Sequence, residues 1–146
     1  MKRLILGITA IFAGALILKS CGEPYNAAKD IVEDFMEEIM EGEGKEAVQF
    51  IHPSYRDELV KNLKLPLQFT ELRPTELLAC VLSVMGMNIE DIDIKNAKMV
   101  NRDTAKVIVS VEDKEGLEKL FTFVVVKEGD RWYIVKIDKY VPSISE

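Results

Sequence analysis

The sequence has few of the side chains that enzymes and metal sites use most often. It contains one histidine, His52, and two cysteines, Cys21 and Cys80. It also lacks the Gly-x-Ser-x-Gly pattern of a hydrolase nucleophile and the glycine-rich loops that bind phosphate. We therefore expect no metal site, no cofactor and no catalytic residue of the commonest hydrolase or nucleotide-binding types.

Long apolar runs are scarce as well. The one such run, residues 4–18, follows Lys2 and Arg3 and is 15 residues long. As a helix it would measure about 22 Å, which is short of a hydrocarbon core of about 30 Å. A positive start followed by a short apolar run is typical of an export signal, and we predict a signal peptide over residues 1–20.

The segment that follows, Leu18-Lys19-Ser20-Cys21, resembles the lipobox of bacterial lipoproteins. The resemblance implies diacylglycerol on the thiol of Cys21, palmitate-type acylation, and cleavage just before this residue. Lys19 departs from the pattern, because that position is usually small or apolar. An uncleaved signal anchor and an unmodified cysteine are the alternatives. The predicted organisation is a signal peptide, a lipidated tether over residues 21–25 and one domain over residues 26–146.

Basic residues are fewer than acidic ones in the part of the chain that is predicted to be exported. Removing residues 1–20 takes away three basic residues and no acidic one, which leaves 16 basic against 25 acidic residues. A surface with a net charge near −9 repels nucleic acid and anionic lipid. We expect no nucleic-acid partner, and we expect membrane attachment through acyl chains on the extracytoplasmic side of the bacterial envelope.

Helices occupy the first half of the domain. Apolar residues recur at helical spacing over residues 28–39, and Gly42 ends that helix. Short helices are predicted over residues 44–51 and from Ser54, which we assign as an N-cap with Asp57 completing a capping box. A fourth helix opens at Pro74 and is apolar nearly all round, so it is buried in the core, forms an interface or lines a pocket. We expect Cys80, within it, to be a buried, unreactive thiol.

Strands occupy the second half. From Asn88 the apolar period changes to two, and turns near Arg102, Gly116 and Gly129 separate four strands. The last strand, from Arg131 to Asp138, is predicted to place one apolar set on each face. These sets are Trp132 and Ile134 on one side, and Tyr133, Val135 and Ile137 on the other.

Helices followed by an antiparallel meander predict an α+β domain in which N-terminal helices pack on a curved, four-stranded antiparallel sheet, a cone-shaped α+β roll. The order of elements, the segment Gly44 to Arg56 and the ending Gly-Asp-Arg-Trp-Tyr-Ile-Val resemble the nuclear transport factor 2-like superfamily, also called cystatin-like or ketosteroid-isomerase-like. They resemble most the small bacterial lipoproteins of unknown function within it. The resemblance implies a pocket between the first helix and the sheet.

We expect this pocket or the fourth helix to bind a small apolar ligand or an envelope protein, without catalysis, and a homodimer is left open. The residues predicted to form a pocket or interface are Leu78, Val81, Met85, Trp132 and Tyr133. The alternative is a small isomerase or hydrolase that uses a pocket carboxylate, for which Asp138 with Tyr133 or Tyr55 is the candidate. His52, at a helix end before Pro53, suits a capping role better than catalysis.

Overall fold

The computed structural model describes residues 24–62 and 72–140. Within them, four helices precede four strands: α1 (Pro24–Met40), α2 (Gly44–Val48), α3 (Pro53–Asn62), α4 (Pro74–Gly86), β1 (Ile89–Asn101), β2 (Thr104–Asp113), β3 (Glu118–Glu128) and β4 (Arg131–Lys139). The strands form one antiparallel sheet in the order β1-β2-β3-β4. The predicted α+β class and four-stranded meander are confirmed. The predicted signal peptide and Cys21 lie outside the described residues.

Helix α1 lies on the sheet with one apolar face. Its buried side chains recur every three or four residues, as the sequence pattern requires, and are Ala28, Val32, Phe35, Met36 and Ile39. The helix begins at Pro24, inside the segment that we assigned to the tether. Gly22 and Glu23 therefore remain as the residues between Cys21 and the helix.

The turn between α2 and α3 covers the outer edge of β4. Ile51 pairs with Ile134 in a parallel bridge, in which the N–H of His52 donates to the carbonyl of Ile134 at 2.9 Å. Further along, the N–H of Ile137 donates to the hydroxyl of Tyr55 at 2.9 Å. These bonds satisfy backbone groups that an open sheet edge would leave exposed to other chains.

Helix α3 begins at Pro53, two residues before the start that an N-cap at Ser54 predicts, so Ser54 lies in its first turn and is not the N-cap. The residue before the helix is His52, whose ring Nδ1 accepts the N–H of Ser54 at 3.3 Å, and whose carbonyl accepts the N–H of Tyr55 at 2.9 Å. Pro53 shifts the start because its fixed φ suits the first helical position. The expected capping role of His52 is confirmed.

Helix α4 buries one face and exposes the other. Leu78, Leu82 and Gly86, spaced by four residues, are buried, whereas Cys80 and Val84 lie on the solvent side. The prediction of a buried Cys80 was wrong, because the apolar character of this helix continues round to its exposed face.

Two glycines bring α4 close to its neighbours. A Cβ atom on Gly44 would lie 1.9 Å from the carbonyl oxygen of Ala79, and one on Gly86 would lie 1.6 Å from that of Ile39. Ser83 adds a bridge, because its hydroxyl accepts the N–H of Gly44 and donates to the carbonyl of Gly42, both at 2.9 Å.

Strand β4 contains a β-bulge that changes which face its side chains occupy. Val125 pairs with Ile134 and Val124 pairs with Lys136, so Val135 is an extra residue without a partner. The side chain of Ile137 consequently returns to the core face. The sequence predicted Ile137 on the other face of the sheet from Trp132. This prediction was wrong, because strict alternation holds only in a strand without a bulge.

Candidate ligand-binding cavity

A cavity of about 310 Å³ lies between the second half of α1, the end of α4 and the core face of the sheet. Three of its lining residues are polar, namely Asn88, Asp113 and Lys119. The others are apolar: Phe35, Met36, Ile39, Leu82, Met85, Ile89, Val111, Leu117, Phe121, Phe123 and Ile137. An apolar cavity of this size with few polar groups is typical of sites for small organic ligands.

The walls follow from the periodicities of the elements. Phe35 and Ile39 are four residues apart and share the sheet-facing side of α1. Phe121 and Phe123 are two residues apart and both lie on the core face of β3. The ring of Phe123 contacts that of Phe35 edge-on, with ring centroids 6.0 Å apart. The bulge in β4 adds Ile137 to this wall. The cavity is thus a continuation of the hydrophobic core that side chains do not fill completely.

The cavity borders on exposed apolar side chains. Met85 at the end of α4 is 55% exposed and Leu117 in the β2–β3 turn is 57% exposed, yet both line the cavity. Exposed apolar groups that cluster beside a cavity are more informative than the same residues scattered over a surface.

Two of the polar lining residues take part in backbone contacts of the turn. One carboxylate oxygen of Asp113 accepts the N–H groups of Glu115 and Leu117, both at 2.9 Å, which holds the β2–β3 turn. The carbonyl of Asn88 accepts the N–H of Lys114 at 3.0 Å. The Asp113 oxygen that accepts these two bonds is therefore already committed to the turn.

The structure distributes the predicted site residues over several places. Met85 lines the cavity, Leu78 and Trp132 are buried in the core, and Val81 is half-buried on α4. Tyr133 lies beside the ring of His52, with centroids 5.6 Å apart.

Sequence reasoning missed Phe35, Phe121, Phe123 and Lys119 as lining residues. Phe35 belongs to the apolar set of α1. The signal for the other three was present in the alternation of β3, where Lys119 occupies a position of the core-facing set. It could not be used before the register of the sheet was known.

A second polar cluster lies away from the cavity, around His52. Its Nδ1 is 2.7 Å from the hydroxyl of Ser54, and its Nε2 is 2.7 Å from a carboxylate oxygen of Glu128. These residue types match a hydrolase triad. However, Nδ1 has a single lone pair and also accepts the N–H of Ser54, and none of the three residues lines the cavity. The cluster caps α3 and ties it to the β3–β4 hairpin.

The negative charge of Asp138 acts on Tyr55, but each of these two candidate residues has another partner. Asp138 pairs with Lys136 at 3.3 Å and is exposed, whereas Tyr55 is buried and its hydroxyl accepts the N–H of Ile137. Burial raises the pKa of Tyr55 above its ordinary value of 10.0. Neither residue lines the cavity.

The described part of the chain contains no group of three or more histidine, cysteine, aspartate or glutamate side chains that could hold a metal ion. None of the helices within residues 24–62 and 72–140 has the length and apolar character needed to cross a bilayer.

Comparison with solved structures defines the class of the fold. An NTF2-like protein of unknown function from Shewanella oneidensis MR-1 superposes with a TM-score of 0.54, at 19% identity, over 79% of this chain and 97% of the other. An NTF2-like protein from Campylobacter jejuni gives a TM-score of 0.50, at 16% identity, over 73% and 95% of the two chains. The chain has an NTF2-like fold, as its resemblance to that superfamily predicts.

Within this class, the chain belongs to the family described as "Domain of unknown function (DUF4878)", whose model matches residues 19–135. It is also similar to an uncharacterized protein of Aquifex aeolicus (strain VF5), with 62% identity over 144 residues, which cover 99% of each chain.

Proposed function

We propose that this protein is a bacterial envelope lipoprotein whose NTF2-like domain binds a small apolar ligand in the cavity between α1 and the sheet. The proposed location in the envelope rests on the sequence Leu18-Lys19-Ser20-Cys21, which ends the short apolar run. Acylation of Cys21 would anchor the chain on the extracytoplasmic side of the membrane. Gly22 and Glu23 span about 7 Å at full extension, so α1 would begin close to the bilayer.

The observation that supports the proposed ligand binding is the cavity itself. About 310 Å³ of apolar space lies beside the exposed Met85 and Leu117. Leaving such space empty costs a folded protein dispersion contacts, and a ligand that fills it restores them. Binding without catalysis is favoured because the described residues of the cavity lining include no histidine or tyrosine, and because one oxygen of Asp113 serves the adjacent turn.

The proposal is tested by narrowing the cavity. Val111 lines it from β2, so Val111→Trp places an indole in the space that the ligand would use. The matched control is Val100→Trp on β1, where the native side chain is 51% exposed and does not line the cavity. Both variants are made in the full chain, which is reconstituted in phosphatidylcholine vesicles and labelled with a photoreactive dodecanol.

We expect the wild type and Val100→Trp to be labelled on cavity-lining peptides, and Val111→Trp to be labelled several-fold less. If labelling is spread evenly along the wild-type chain, or if both tryptophan variants label like the wild type, the cavity is not a ligand site. Binding of an envelope protein partner and formation of a homodimer remain predictions from the sequence.

A further inference from the structure

Lys119 is a cation in an otherwise apolar set of side chains. On the core face of β3 it is followed by Phe121 and Phe123, and in the sheet register it lies opposite Val111, which in turn lies opposite Ile92. Its side chain is exposed and lines the cavity. The cross-strand row Ile92, Val111, Lys119 on the core face of the sheet therefore ends in an ammonium group beside the cavity.

No acidic side chain within residues 24–62 and 72–140 forms an ion pair with Lys119. Asp113, the carboxylate in the same lining, accepts two backbone N–H groups of the turn through one oxygen. The adjacent Glu118 accepts the hydroxyl of Ser110 on the other face of the sheet. No described carboxylate forms an ion pair with this ammonium group, so its charge is available to a ligand that enters the cavity.

We propose that the ligand is a single-chain amphiphile with an anionic head group, a carboxylate or a phosphate, whose head contacts Lys119 while its tail lies between α1 and the sheet. This inference rests on the proposed function, since it names the chemical class that the cavity accepts. The volume of about 310 Å³ is at the lower end of ligand sites, which suits one alkyl chain rather than two. The exposed side chains of Met85 and Leu117 extend the apolar path toward solvent.

The charge of the head follows from Lys119, the one cation in the described lining, because Asp113 is held in the turn by two backbone N–H groups. An ammonium group forms charge-assisted hydrogen bonds with carboxylate or phosphate oxygens and repels a cationic head. A neutral alcohol of the same chain length would still bury its tail but would gain less at Lys119. Lys119 is thus a specificity residue, whereas the apolar walls supply most of the binding free energy.

The test compares three photoreactive probes with the same twelve-carbon tail: a carboxylate, a phosphate monoester and the alcohol. The full chain is labelled in phosphatidylcholine vesicles as wild type, as Lys119→Met and as Lys114→Met. Methionine keeps an unbranched apolar side chain but removes the charge. Lys114 is the matched control, because it is an exposed lysine of the same turn that does not line the cavity.

We expect Lys119→Met to lower labelling of the cavity by an anionic probe by about three- to ten-fold, as for one charge-assisted contact in a solvated position. Labelling by the alcohol should stay within two-fold, which also shows that the cavity is intact, and Lys114→Met should match the wild type. A larger effect for the phosphate identifies a single-chain phosphate ester as the ligand, and a larger effect for the carboxylate identifies a fatty acid.

Three results would overturn the inference. One is equal labelling of wild type and Lys119→Met by both anionic probes. Another is parallel loss of all three probes in Lys119→Met, which would mean that the residue maintains the cavity. The third is an equal loss in Lys114→Met, which would mean that general surface charge is responsible. In the first and third cases the alcohol still labels the cavity and the proposed function survives. If the alcohol fails to label the wild-type cavity, the proposed function itself fails.

Discussion

The close approach of α4 to α1 at Gly86 makes a quantitative prediction. In Gly86→Ala, the new methyl group would lie 1.6 Å from the carbonyl oxygen of Ile39 and 2.5 Å from its carbonyl carbon. Both are backbone atoms, which cannot rotate away as the end of a side chain can. To restore ordinary contact, the end of α4 would have to move away from α1 by roughly 2 Å.

The change in the free energy of unfolding of Gly86→Ala combines two contributions of opposite sign. Overpacking in a core usually destabilises by about 1–3 kcal/mol, and a rigid backbone neighbour places Gly86→Ala near the upper end. The gain in helix propensity from glycine to alanine is at most about 1 kcal/mol, and it is reduced because Gly86 is the last residue of α4. We expect the free energy of unfolding to fall by about 2–3 kcal/mol.

Gly42→Ala is the matched control. Its backbone has φ 79°, but no atom lies within 4 Å of the position where a methyl group would be added. It changes the entropy of the unfolded chain in the same way, and it should cost about 1 kcal/mol for the left-handed conformation alone. Urea unfolding of the chain from Gly22 onward can be followed by the fluorescence of Trp132, which is buried. If the two variants differ by less than about 0.5 kcal/mol, the close packing of α4 on α1 is refuted.

Two further predictions concern the edge of β4 and the export signal. Tyr55→Phe leaves the N–H of Ile137 without its hydroxyl acceptor and should destabilise by about 1–3 kcal/mol in urea unfolding, whereas Tyr133→Phe should cost less than about 0.5 kcal/mol. Burial raises the pKa of Tyr55, so its stabilising contribution is complete below pH 10.0 and is lost as the pH rises through the higher folded-state pKa; a Tyr55→Phe difference that persists unchanged at higher pH would contradict this assignment. Lys19→Ala should raise the fraction of chains that carry diacylglycerol on Cys21 in a mass spectrum of the N-terminal peptide, and an intact Met1 with a free thiol in both forms would contradict lipidation.

The order of elements was predictable because each period is strong and the turn residues are well placed. Helical spacing in α1 and alternation in β2 and β3 each follow from one buried face. Pro74 at the start of α4 and the glycines of the hairpin turns fixed several boundaries. The family resemblance added that a pocket lies between α1 and the sheet.

What the sequence could not predict depends on residues that are distant along the chain. The close contact of Gly86 depends on where α1 ends, and the role of Lys119 depends on its register with β2. Cys80 shows the opposite difficulty, because an apolar sequence all around a helix gives no indication of which face is exposed. Ser54 was predicted as the N-cap of α3, but Pro53 opens the helix, so His52 holds that position and Ser54 lies in the first turn.

The bulge in β4 separates the length of this strand from the wall of the cavity. Val135 is the extra residue, so its removal would leave Lys136 paired with Val124 and Ile137 paired with Phe123. Ile137 would keep its place in the cavity wall, whereas the strand would lose the local bend and the added twist that the bulge introduces. In relatives of this chain, the loss of one residue at the position of Val135 should therefore keep the same lining side chain and change only the curvature of the sheet beside it.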